Sequence, residues 1–114
     1  HRGVLRAEHF ASMRQGATFI NTGRGAQVDE DGLVEVLKTR PDLTALLDVQ
    51  YPEPPTEKSE LYQLPNVHLT SHIAGSLNDE VRRMADFVID DFECWLKGEA
   101  LQYAVDPAEL STRA

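Results

Sequence analysis

"FINTGRGAQVDEDGLVEVLK", Phe19 to Lys38, passes from a short β-like segment through two glycines into a stretch with helical spacing. Strand, turn and helix in that order form half of a parallel-wound unit, so this stretch decides the fold class. The glycines of the turn could serve either a phosphate cradle or a tight bend. A dinucleotide fingerprint requires a third glycine three residues after the second, so that a helix can pack close to its strand, and that position is Val28. The spacing excludes a phosphate cradle here. What remains is a turn in which Gly23 and Gly25 are expected to supply backbone angles closed to other residues. Arg24 sits between them, either solvated or presented to a ligand.

Upstream, "RAEHFASMRQG" (6–16) predicts a short helix with Gly16 as a left-handed C-terminal cap, leading into a strand over "ATFIN" (17–21). Downstream, "DEDGLVEVLKTRP" (29–41) starts with acids that suit a helix N-terminus, places Leu33, Val36 and Leu37 on one face, and predicts a helix that stops before Pro41. "LTALLDV" (43–49) is a nearly continuous apolar run, as expected of a strand covered on both faces, with a buried helical turn as the alternative. Residues 50–65 carry four of the six prolines and predict a long, stiffened loop with a possible turn of helix near Leu61.

"NVHLT" (66–70) is a third strand, and "SLNDEVRRMADFVIDDFECWLKG" (76–98) is the clearest helix in the chain. Ser76 and Asp79 resemble a capping box, and Val81, Met84, Ala85, Val88, Ile89, Phe92, Trp95 and Leu96 form one apolar stripe that Gly98 ends. Residues 99–114 read as an extended tail. The order strand, helix, strand, loop, strand, helix predicts an α/β chain with a parallel sheet.

The charge balance narrows the partners. Nineteen acidic against eleven basic residues give a formal net charge of −8, which disfavours nonspecific binding to nucleic acid or anionic membranes. No apolar run has the length of a membrane span. A single cysteine, Cys94, precludes an intrachain disulfide and suits a reducing, cytoplasmic compartment, while its neighbours Phe92 and Trp95 favour packing over reactivity. His68 and His72 invite a metal reading, yet no Cys partner and no close third ligand beyond Glu53 accompany them, so no metal is expected.

In open parallel sheets, ligands bind outside the carboxyl ends of the strands. Arg24 follows the first predicted strand, Asp48 ends the second with Glu53 just beyond it, and His72 follows the third. Each has an ordinary structural role available: a solvated turn arginine, a turn-capping aspartate, a loop glutamate, a hydrogen-bonding histidine. Together they can also act on a carbonyl flanked by a carboxylate. A guanidinium fork can grip the carboxylate, an imidazole can give a proton to the developing alkoxide, and a neighbouring carboxylate can fix the imidazole tautomer.

Residues 19–38, "ALLDVQYPEPP" (45–55), "SELYQLPNVHLTSHIAG" (59–75) and the helix after them resemble the C-terminal part of the D-isomer-specific 2-hydroxyacid dehydrogenase family. The resemblance implies the C-terminal half of a Rossmann-type, doubly wound parallel sheet over residues 1–98, followed by a tail over 99–114 that returns toward a separate substrate domain. It implies hydride transfer between NAD or NADP, with NAD favoured, and C2 of a 2-hydroxy or 2-keto acid. It assigns Arg24 to the substrate carboxylate, Glu53 and His72 to acid/base work, and Asp48 to the nicotinamide carboxamide. Thr22, Gly23, Ala74 and Gly75 match positions lining the nicotinamide end of the cofactor, which Arg24 and His72 also border.

Two departures stand out: Ser71 replaces a usual proline, and Gly23 replaces a commoner alanine or serine. The resemblance further implies that the glycine-rich phosphate loop and the substrate domain lie upstream of His1, that the 114 residues are inactive alone, and that the full-length protein is a homodimer. A nonenzymatic alternative on the same fold is a corepressor-like module whose protein contacts respond to NAD(H).

Overall fold

The structure is a computed structural model describing residues 2–110; His1 and residues 111–114, the end of the expected tail, lie outside the described residues. The chain divides into two compact units, His1–Gly75 and Ser76–Ala114.

In the first unit, helix α1 (Ala7–Ala11) leads to strand β1 (Thr18–Asn21), helix α2 (Glu30–Thr39), strand β2 (Thr44–Leu47) and strand β3 (Val67–Leu69). The three strands pair in parallel in the order β1-β2-β3, with Thr18 opposite Thr44 and Ala45 opposite Val67. This is the α/β arrangement that the alternation of periods predicts. Helix α2 begins with Glu30 and Asp31 at the positive end of its dipole, carries Lys38 in its last turn, and ends at Arg40 before Pro41. It buries Leu33, Val34, Val36 and Leu37 in a core shared with Phe10 of α1, Leu43, Ala45, Leu47 and Leu61. Each of the buried Val, Leu and Phe side chains contributes roughly 1.5–3 kcal/mol relative to exposure.

Within this first unit, three expectations need correction. Helix α1 stops at Ala11, five residues before Gly16, and Gly16 (φ 71°) serves the turn into β1, its N–H donating to Asp42 at 3.1 Å. Arg40 holds that turn in place: it grips Asp42 with Nε and Nη2 at 2.8 Å each and donates from Nη1 to the Ala11 carbonyl. Strand β2 is covered on one face only. Ala45 and Leu47 are buried against the helices, whereas Leu46 and its neighbour Ile20 on β1 are 37% and 60% exposed. A continuous apolar run cannot by itself tell which of its two faces the chain at hand covers.

The third correction concerns the glycines. Neither Gly23 nor Gly25 has positive φ. Gly25 is required instead by close approach: a Cβ there would lie 2.0 Å from the carbonyl carbon of Gln50 and 2.1 Å from its oxygen. At Gly23 the nearest atoms, on Asn21 and Gln27, are 3.6 and 3.7 Å away, ordinary contact.

The proline-rich loop is tied down along its length. Gln50 donates to the Leu47 carbonyl at 2.8 Å, Arg2 reaches the Tyr51 hydroxyl at 2.9 Å, and Ser59 donates to Glu30 at 2.7 Å. A single 3₁₀ turn spans Glu60–Tyr62, where a turn of helix is expected.

In the second unit, helix α3 runs Asp79–Lys97 and closes at Gly98 in the left-handed conformation (φ 72°). Its N-cap is Asn78, with φ 51°, so the helix starts two residues beyond the proposed Ser76 cap and has no capping box. The Asn78 ψ of −118° places it outside the left-handed helical region that Asn commonly visits. The apolar stripe forms as its spacing predicts, but Val88, Phe92, Trp95 and Leu96 are exposed. The segment after α3 folds back onto it: Gln102 and Tyr103 donate their N–H groups to Asp91, and Tyr103 packs on Phe87 with ring centroids 5.0 Å apart.

Candidate functional site

The carboxyl ends of the three strands are brought level by backbone bonds that continue past the sheet. Asp48 N–H donates to the Asn21 carbonyl at 2.9 Å, and Thr70 N–H donates to the Leu47 carbonyl at 3.1 Å. Arg24, Asp48 and His72 thereby leave adjacent strands at one edge, in the order the sequence pattern predicts.

The turn after β1 is built on Asn21. Its buried side chain accepts from Gly23 N–H at 3.1 Å and donates to the Arg24 carbonyl at 3.3 Å, an Asx turn that projects Arg24 outward. Arg24 is exposed, with extended backbone, and Nη1 donates to the Gly23 carbonyl at 2.8 Å. Among the described residues the rest of its fork is open.

Asp48 is buried, yet it is well supplied with donors. The Thr70 hydroxyl and Ile73 N–H (2.8 Å) donate to Oδ1, and Ala74 N–H (2.9 Å) donates to Oδ2. The Thr70 bond is the largest influence holding the Asp48 carboxyl below its ordinary range. Burial opposes it, and the Ala74 and Ile73 amides and the nearby His72 reinforce it. Successive N–H groups converging on a carboxylate make a backbone anion nest, here filled by the chain's own side chain.

His72 sits at the head of that turn with φ 56°, a left-handed conformation uncommon for a residue with a Cβ and costing on the order of 1–3 kcal/mol. From there Nδ1 meets Glu53 Oε1 at 2.6 Å, with the two side chains 46% and 37% exposed. The pairing spans nineteen residues of sequence and joins the loop after β2 to the turn after β3.

Two concavities flank these groups. A groove of about 280 Å³ over the strand ends is lined by Thr22, Asp48, Ala74, Thr70 and His68, among others. A larger crevice of about 710 Å³ is lined by Glu53, Pro54, Pro55, Tyr62 and Ser71, with Gln50 at its floor. Thr22, Asp48 and Ala74 therefore share one groove and Glu53 faces the other, while Gly23 and Gly75 line neither. No group of three or more His, Cys, Asp and Glu side chains among the described residues is placed to hold a metal ion. No helix among them is long and apolar enough to cross a membrane.

Asn21 and Thr70 are not among the residues that the sequence pattern singles out. Asn21 has a legible signal, since an Asn two residues before a glycine at a strand end is a turn former. Thr70 has none, because its partner Asp48 lies twenty-two residues away.

A parallel sheet carrying polar side chains at its carboxyl edge defines the class: an α/β domain of the doubly wound kind. The chain belongs to the D-isomer specific 2-hydroxyacid dehydrogenase family, whose NAD binding domain model matches residues 1–74. It is 39% identical over 107 residues to glyoxylate/hydroxypyruvate reductase B of Pectobacterium carotovorum subsp. carotovorum (strain PC1), covering 94% of this chain and 33% of that protein. Among solved structures, it resembles a D-isomer specific 2-hydroxyacid dehydrogenase from Xanthobacter autotrophicus Py2 in complex with NADPH and MES. The TM-score is 0.81 and the identity 34%, over 95% of this chain and 34% of that one. D-lactate dehydrogenase with NAD+ from Lactobacillus jensenii gives 0.78 and 27%, over 92% and 36%. The chain thus spans about a third of the length of the glyoxylate/hydroxypyruvate reductase B relatives it matches.

Proposed function

We propose that this chain supplies the nicotinamide end of the cofactor site and the acid/base pair of an NAD(P)-dependent 2-hydroxyacid dehydrogenase. The observation that carries the proposal is the Glu53–His72 contact of 2.6 Å, at the sheet edge that also bears Arg24. A carboxylate on Nδ1 fixes the proton on that nitrogen and leaves Nε2 to exchange a proton with substrate.

The bound nicotinamide supplies the chemistry of hydride transfer to and from C2 of the substrate. Thr22, Asp48 and Ala74 line a groove that fits its carboxamide end, and Asp48 Oδ2 accepts from Ala74 with an acceptor position left over for an amide donor. Gly23 and Gly75 match family positions at that end but do not line the groove. Arg24 pairs through its fork with the substrate carboxylate, geometry a lysine cannot reproduce. As negative charge develops on the carbonyl oxygen, His72 Nε2 donates its proton to it, and Glu53 stabilises the positive ring before the proton leaves.

Residues 1–98 serve in this reading as the latter half of the dinucleotide-binding domain, and 99–114 as the tail that returns to a substrate domain. The protein works in the cytoplasm as a homodimer, consistent with one cysteine and an exposed apolar stripe on α3. Oxidation of NADH or NADPH by the intact protein in the presence of glyoxylate, hydroxypyruvate or other short 2-keto acids tests the proposal. Turnover supports it; cofactor binding without turnover of any 2-keto acid contradicts it.

A further inference from the structure

We propose that Thr70 and Asp48 form a clamp that holds His72 in its left-handed conformation, making Thr70 a positioning residue for the proton-transfer step. The inference rests on the reading of His72 as the acid/base group and adds a residue which that reading leaves without a role.

Three observations converge. His72 occupies a backbone region that a β-carbon disfavours, so neighbouring bonds must over-determine it. The two amides that follow it, Ile73 and Ala74, both donate to Asp48, at 2.8 and 2.9 Å. Asp48 is itself buried at the end of β2, where Leu47 pairs with Leu69, and it receives the Thr70 hydroxyl on the same oxygen as Ile73. Thr70 is the last residue before the turn whose backbone is tied to β2, through its N–H to the Leu47 carbonyl at 3.1 Å. The hydroxyl thus orients the carboxylate, the carboxylate collects the two amides, and the amides set the direction in which the His72 ring leaves the backbone toward Glu53.

The clamp also explains how Ser71 can stand before the histidine. A proline would restrict the turn by its ring; here hydrogen bonds on both sides of Ser71 restrict it instead, through Thr70 before it and Ile73 after it.

The test compares Thr70→Val, which keeps the shape and loses the hydroxyl, with Thr70→Ser, which keeps the hydroxyl, in the intact protein. Two readouts are taken. Amide hydrogen exchange at Ile73 and Ala74 reports the clamp without any need for turnover. Steady-state kinetics with NADH or NADPH and a 2-keto acid report its consequence. In Thr70→Val, exchange at both amides accelerates about tenfold or more and kcat falls about tenfold. Thr70→Ser recovers both. Circular dichroism confirms that Thr70→Val is folded, and Asp48→Asn provides a second variant in which the same two amides lose protection.

Unchanged exchange and kcat in Thr70→Val overturn the clamp, as does a serine variant as impaired as the valine one. A loss confined to cofactor affinity overturns it too, because it makes Asp48 and Thr70 cofactor ligands alone. An inactive wild type whose Ile73 and Ala74 amides still respond to Thr70→Val supports the clamp and overturns the dehydrogenase reading.

Discussion

Gly25→Ala isolates the physical reason for the "G-R-G" turn. The added methyl group would stand 2.0, 2.1 and 2.5 Å from the carbonyl carbon, oxygen and Cα of Gln50, more than 1 Å short of the 3.4–4 Å of ordinary contact at the first two. All three atoms are backbone, at a residue that is itself buried and donates its side chain to Leu47. No rotamer change can relieve the clash. Either the turn after β1 or the exit of β2 must move, and overpacking of that kind costs about 1–3 kcal/mol, with the upper end expected where backbone is the obstacle. Gly23→Ala is the control: its neighbours lie at 3.6 Å or beyond, and its φ is accessible to alanine, so its effect should stay within about 0.5 kcal/mol.

In urea unfolding of the intact protein, about 3 kcal/mol at a slope of roughly 1–3 kcal/mol per molar lowers the midpoint of this domain's transition by about 1–3 M. The same displacement moves Arg24, so kcat/KM for 2-keto acids falls with it. An unchanged midpoint for Gly25→Ala, or equal losses for the two glycines, would refute the argument from close approach.

Two further outcomes follow from the geometry. Arg24→Lys keeps the charge and removes the fork, so KM should rise and kcat/KM fall at least about tenfold, roughly 1.4 kcal/mol of transition-state binding; unchanged kinetics would return Arg24 to a solvated turn. Asp42 is held well below the ordinary aspartate range, first by the Arg40 hydrogen bonds and then by Gly16 N–H. Its stabilisation is therefore full above the unfolded-state value and is lost as pH falls through the depressed folded value. Asp42→Asn should lower the urea midpoint at neutral pH, with the gap to wild type closing on acidification. A gap independent of pH would show that the Arg40 pairing does not stabilise the fold.

The period of the hydrophobic pattern makes the element order legible, because α2 and α3 repeat at helical spacing and the strands do not. The edge on which Arg24, Asp48 and His72 gather follows from that order alone, since parallel strands place every loop after a strand at one end. The tertiary contacts inside the site are not legible. Gly25 looks like a residue chosen for its backbone freedom, and its need for space beside Gln50 depends on two loops meeting across the sheet. Helix α1 reads as longer than it is because Phe10 and Met13 share a spacing with any short helix, while the chain instead turns after Ala11 to meet Arg40. The left-handed backbone of His72 and the donation by Thr70 depend on a carboxylate more than twenty residues upstream, beyond the reach of a local pattern.

His72→Asn in the intact protein tests the central claim most directly. Turnover of NADH or NADPH with saturating 2-keto acid is measured beside cofactor affinity for wild type and variant. Loss of the proton donor should lower kcat by about 10²-fold or more, with cofactor Kd within about threefold. Retained turnover, or a loss confined to cofactor affinity, would contradict the assignment of His72 and Glu53 as the acid/base pair.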